Sequence, residues 1–137
     1  MTKAEKTTRD YLRDAVKGYA DTLASLVSGI GYTDIIDVDE DDEDEKALLE
    51  SDSYYRLQKY FEDVLDVEFR VDLRGDYRGA RIALALGGPG VYLDTRASRI
   101  DGYWGFGSDH AEYFLDSATN NAVDDYFAEL WEITRRY

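Results

Sequence analysis

The chain has 137 residues, with 16 Lys and Arg against 30 Asp and Glu, for a formal net charge of -14. That length suits one domain, 1–137, burying about two-thirds of the surface its unfolded chain would expose, and the lack of cysteine excludes a disulfide framework and a thiolate metal site. Small domains ordinarily carry far less net charge, so this acid must be disordered, neutralised or used.

The N-terminal MTKAEKTTRDYLRDAV mixes charges and has no apolar h-region, so a cytoplasmic location is expected. No stretch approaches the ~18 apolar residues of a membrane span. Leu12, Val16, Tyr19, Leu23, Leu26 and Ile30 recur at steps of three and four, which predicts an amphipathic helix ending near Gly29 or Gly31. Residues 34–46 then form an acidic loop whose last residues are suited to start the next helix, since carboxylates in a first turn face the positive end of the helix dipole. Leu48, Leu49, Leu57, Phe61, Val64 and Leu65 mark a second helix, with Tyr54 and Tyr55 on or beside its apolar face.

At Val67 the period changes to two. Val67, Phe69, Val71 and Leu73 alternate with Glu68, Arg70, Asp72 and Arg74, the pattern of a strand with one wet face. A hairpin turn at 75–79 leads to a central strand, Ala80 to Leu86, and the Gly87-Gly88-Pro89-Gly90 break precedes a third, Val91 to Thr95. Arg99 to Trp104 is a fourth strand, Ala111 to Leu115 a short fifth or an irregular segment, and Val123, Phe127, Leu130 and Trp131 build a closing helix capped by Asn120 or Asn121. The fold class is α+β: two N-terminal helices, a four- to five-stranded antiparallel meander and one C-terminal helix packed on the sheet.

The charge is local. Residues 33–66 hold fourteen acids and three bases, and residues 108–137 hold seven and two; elsewhere acids and bases nearly balance. Between Asp37 and Glu45 eight of nine residues are carboxylates, in DVDEDDEDE. Such a pole attracts basic protein surfaces and repels phosphates, so direct nucleic-acid binding is not expected. Asp37, Asp39, Glu40, Asp41, Asp42, Glu43, Asp44 and Glu45, continued by Asp52, Glu62 and Asp63, approach the charge density of duplex DNA, about one charge per 1.7 Å, because a helix rises about 1.5 Å per residue. This points to a nucleic-acid mimic. The bland alternative is a solvated loop that keeps the protein soluble.

Other chemistry is scarce. Asp39, Asp41, Glu43 and Glu50 fall at positions 1, 3, 5 and 12 of an EF-hand register, but position 6 is Asp44 where glycine is needed, so specific calcium binding is not expected. His110 is the only histidine; with Asp109 and Glu112 it defines an alternative of a different class, a small metal-dependent hydrolase. No P-loop, GxSxG or HExxH occurs, and neither a cofactor nor catalysis is expected. Tyr103 and Phe106, in the glycine-flanked Tyr103-Trp104-Gly105-Phe106, are candidate interface anchors that would also permit a symmetric dimer, while Trp104 is assigned to the core.

Gly87, Gly88, Pro89, Tyr92, Thr95, Gly102, Tyr103, Trp104 and Gly105, with the acidic aromatic helix at residues 122–132, resemble small acidic proteins encoded on bacterial phages, plasmids and other mobile elements. That group includes anti-CRISPR and antirestriction inhibitors, several of which mimic nucleic acid. The resemblance implies a bacterial cytoplasmic inhibitor, not an enzyme, whose partner is a basic nucleic-acid-binding protein or ribonucleoprotein of a defence nuclease. An immunity or antitoxin protein holding a cognate nuclease toxin would use the same physics.

Overall fold

The computed structural model describes residues 7–64, 66–104 and 109–136. In chain order these form α1 (Thr8–Ser28), a short 3-10 turn (Tyr32–Asp34), α2 (Glu43–Ser51), α3 (Ser53–Phe61), β1 (Asp66–Val71), β2 (Tyr77–Ala85), β3 (Gly90–Asp94), β4 (Arg99–Trp104), β5 (Asp109–Phe114) and α4 (Ser117–Thr134). The strands make one antiparallel sheet in the order β1-β2-β3-β4-β5, a meander whose neighbours are joined in sequence. The expected α+β class is the observed one.

Thr7 and Asp10 start α1 with a reciprocal capping box, and Gly29 ends it in the left-handed region at φ 82°. The helix lies on β4 and β5 and buries Leu12, Val16, Ala20, Leu23 and Leu26. Ile30 lies beyond the cap and is 78% exposed, so the periodic pattern outruns the helix by one member. At Gly102 a methyl group would sit 2.9 Å from Val16 Cγ1 and 3.4 Å from Leu12 Cδ2. The Gly102→Ala variant therefore has to lift α1 off β4, which should destabilise the fold by about 1–3 kcal/mol and lower the thermal midpoint by several degrees.

The second predicted helix is two helices. Asp52 takes an extended conformation (φ -127°, ψ 107°), ends α2 and caps α3, its carboxylate accepting from the Tyr54 and Tyr55 amides. The chain folds back at this elbow, which brings Lys59 near the end of α3 to Glu45 at the start of α2. Arg56 on α3 is 4% exposed, and its hydrogen-bond partners among the described residues are backbone carbonyls. Its guanidinium donates to the carbonyls of Leu26 and Val27 in the last turn of α1, and of Leu49 and Glu50 in the last turn of α2. One cation thus closes the negative ends of two helices, with the Tyr32 ring 5.4 Å away.

β1 is shorter than its alternation suggests. The register shifts between Arg70 and Val71, and Leu73 falls in the turn, fully exposed. That turn spans 72–76 rather than 75–79, because the Asp72 carboxylate accepts from the Arg74 and Asp76 amides and from Arg78. α4 begins one turn before the predicted caps, at Asp116, which accepts from the Thr119 amide at 2.8 Å. Asn120 is instead buried and ties α4 to the sheet, donating to the Thr95 carbonyl at 2.8 Å.

The helices share one face of the sheet. Ile82, Val91, Leu93, Ile100 and Ala111 meet Leu12, Val16, Leu57, Phe61, Val123 and Phe127 there in one core. Tyr60 and Tyr77 close its edges. Burial pushes the Tyr60 hydroxyl up to about 12, and burial raises Tyr77 too, reinforced by the bond it donates to Asp124 at 2.7 Å. An unfolded tyrosine titrates near 10, so this stabilisation is complete below pH ~10 and is lost as pH rises towards ~12, where the unfolded chain has already shed its protons. Melting temperatures should fall over that window, in step with late-ionising tyrosinate absorbance.

Candidate functional site

The acidic run is ordered by its own carboxylates. Asp39 accepts from the Asp41 amide at 3.0 Å, and Asp42 caps α2 by accepting from the Glu45 amide at 3.1 Å. Glu43, Asp44 and Glu45 occupy the first turn of α2, facing the positive end of its dipole. Residues 43–46 are thus helical, which shortens the loop expected over 34–46. Two lysines enter the run: Lys46 lies 2.8 Å from Glu40, and Lys59 lies 3.3 Å from Glu45. The bond to Glu45, and then the charges of Glu45 and Glu62, raise the Lys59 ammonium pKa. The Lys46–Glu40 pair, with its carboxylate 71% exposed, contributes little to stability.

Lys59 also shows what the elbow at Asp52 brings together. Its ammonium meets Glu45 of α2 and also feels the charge of Glu62 at the end of α3, with Asp63 next in sequence. Asp37, Asp39, Glu40, Asp41, Asp42, Glu43, Asp44, Glu62 and Asp63 are all exposed. Asp52 is at the other end of the hairpin, committed to capping α3. Beside it, Tyr54 packs on Tyr126 of α4 with ring centres 5.2 Å apart, and the Tyr54 hydroxyl pKa is raised first by burial and then by the charges of Glu129 and Asp52. Asp125, Glu129 and Glu132 continue along the exposed side of α4.

The EF-hand register is not realised. Asp39 is engaged in its own turn, and Glu43 and Glu50 belong to one helix.

No described helix covers the second face of the sheet. Arg70 pairs with Asp94 through two contacts of 3.2 and 3.0 Å, and Arg81 lies 3.9 Å from the Tyr92 ring centre. Tyr103 belongs to this face, half-buried, with its ring stacked on His110 at 4.9 Å and edge-on to Tyr92 at 6.2 Å. Trp104, assigned to the core from sequence, is 42% exposed. Alternation turns it to the helix side at the rim of the sheet, where it lines a shallow cleft of about 320 Å³ with Thr8, Tyr11, Leu12 and Pro89. Phe106 lies outside the described residues.

The group expected around His110 is rearranged. Asp109 and His110 are neighbours on a regular strand, so their side chains leave opposite faces. His110 and Glu112 share the open face, and the register of β4 against β5 sets Asp101 directly across from Glu112. Asp101 Oδ1 lies 3.2 Å from His110 Nε2 and 2.9 Å from Arg99 Nε. Among the described residues, three metal-capable donors converge at Asp101, His110 and Glu112.

No protein-family model, curated protein sequence or solved structure matches the chain.

Among the described residues, no helix is long and apolar enough to cross a membrane. The acidic run keeps eight carboxylates within residues 37–45, most of them exposed.

Proposed function

We propose that the protein is a non-enzymatic inhibitor that presents its acidic pole to a basic, nucleic-acid-binding surface, with a bacterial defence nuclease complex as the target class. One observation carries the reading. The carboxylates that order the run, Asp39 and Asp42, leave Asp37, Asp41, Glu43 and Asp44 exposed on a backbone already set by a turn and a capped helix. A preordered anionic ridge loses less entropy on docking than a disordered tail would. Glu43, Asp44 and Glu45 in the first turn of α2 place charges at about 1.5 Å of rise per residue, against about one phosphate charge per 1.7 Å along duplex DNA. The resemblance of residues 86–115 to small acidic mobile-element proteins supports the same target class and a bacterial cytoplasmic setting.

The test is capture from bacterial lysate at low and high salt, followed by a cleavage assay on what is captured. The expected result is one basic nuclease or guide-RNA complex that is retained at low salt, released by salt or by competing DNA, and slowed in cleavage by added protein. Capture of nothing at either salt, or of a nuclease whose cleavage is unaffected, removes the reading. A partner encoded beside this chain and toxic alone would make it an immunity protein instead.

A further inference from the structure

We propose that Asp101, His110 and Glu112 form a divalent-metal site on the open face of the sheet, suited to zinc. The site is built by strand geometry. Residues two apart on β5 project His110 and Glu112 from one face, and Asp101 meets them from β4 at the position paired with Glu112. One imidazole nitrogen and two carboxylates are a donor set that Zn2+ accepts, with a fourth position left for water.

The spacing fits. Two ligands each about 2.0 Å from a tetrahedral ion stand about 3.3 Å apart, and His110 Nε2 and Asp101 Oδ1 are 3.2 Å apart. All three donors lie within 4.8 Å of one another. Glu112 has the remaining distance to close, and its side chain is 46% exposed and able to swing. Asp101 is the fixed member, 6% exposed. The stack of Tyr103 on His110, with planes 25° apart, holds the imidazole plane.

Arg99 is the group that a metal ion at this site would displace. Its Nε is 2.9 Å from Asp101 Oδ1 and 3.7 Å from Glu112 Oε2. That buried nitrogen is close to the Asp101 carboxylate but makes no well-aligned hydrogen bond. The Arg99 side chain is one-third exposed, and zinc entry displaces it towards solvent.

His110 is the only histidine in the chain, so its imidazole resonances report this site and nothing else. Zinc is titrated into isotopically labelled protein in excess Mg2+, which saturates weak binding on the acidic run. The expected result is a move of the imidazole nitrogen signals that is complete at one equivalent. Glu112→Gln and Asp101→Asn should each weaken zinc binding tenfold or more, whereas Arg99→Gln, by removing a competing positive charge, should strengthen it by about tenfold. Glu112→Gln changes an exposed side chain, so it carries the test even if Asp101→Asn fails to fold. Imidazole signals that stay unmoved at one equivalent overturn the site, as does Glu112→Gln protein that binds zinc as tightly as the wild type.

Discussion

Reversing Asp37, Asp41, Glu43 and Asp44 to lysine should weaken binding to a basic partner by a hundredfold or more at low salt and abolish inhibition. The four changes replace attraction with like-charge contact across the interface, a penalty of several kcal/mol, and each ~1.4 kcal/mol is a factor of ten. Stability should change little. Glu43 and Asp44 lose a favourable position at the start of α2, each about 0.3–1 kcal/mol, but repulsion within the run is relieved at the same time. Leaving Asp39 and Asp42 in place matters, because their carboxylates hold the turn and the cap. Asp42→Ala alone should destabilise α2 by about 1 kcal/mol, so reversing the whole run would confuse unfolding with loss of contact. Titrating the partner with both forms at two salt concentrations separates them, and full inhibition by the quadruple variant would remove the acidic run from the mechanism.

Arg56→Met should lower unfolding free energy by about 3–5 kcal/mol, a large share of the about 5–15 kcal/mol typical of a domain. Methionine fills part of the volume but leaves four last-turn carbonyls, two on α1 and two on α2, without their donor. Each buried carbonyl left unsatisfied costs about 1–3 kcal/mol, and some relief comes from water entering as the helix ends loosen. Arg56→Lys should fall between, since an ammonium reaches one or two of these oxygens and lacks the planar fork that spans them. Urea unfolding is the direct measurement, read as a midpoint shift with an unchanged slope. A loss below about 1 kcal/mol for Arg56→Met would show that the two helix ends do not depend on it.

Most of the fold was legible because its elements have strong periods and punctuated ends. The steps of three and four from Leu12 to Leu26 marked α1, and alternation with glycine-rich breaks marked the meander. The misreadings share a cause, which is that a polar side chain chose the boundary. Asp52 cut one apparent helix in two, Asp72 moved a turn, and Asp116 displaced the asparagines as the α4 cap. An Asp or Asn can cap, close a turn or face solvent, and which of these it does depends on the backbone around it.

The candidate sites divide in the same way. The acidic pole was visible in the sequence because charge density is a local property of DVDEDDEDE. That Asp39 and Asp42 are engaged and that Lys59 meets Glu45 across a hairpin were decided by the fold. His110 and Glu112 could be paired from their spacing of two, but Asp101 could not. Only the β4–β5 register sets it opposite Glu112, and alternation on β5 removes Asp109. Arg56 was hidden more completely, since a lone arginine on an amphipathic helix reads as solvated until two other helices end against it. Composition and periodicity thus determined the fold class, the meander and the charged pole, because those follow from neighbours along the chain. The tertiary structure alone decided which carboxylates are consumed, which residues share a face and where the buried cation lies, because each depends on contacts between residues far apart in sequence.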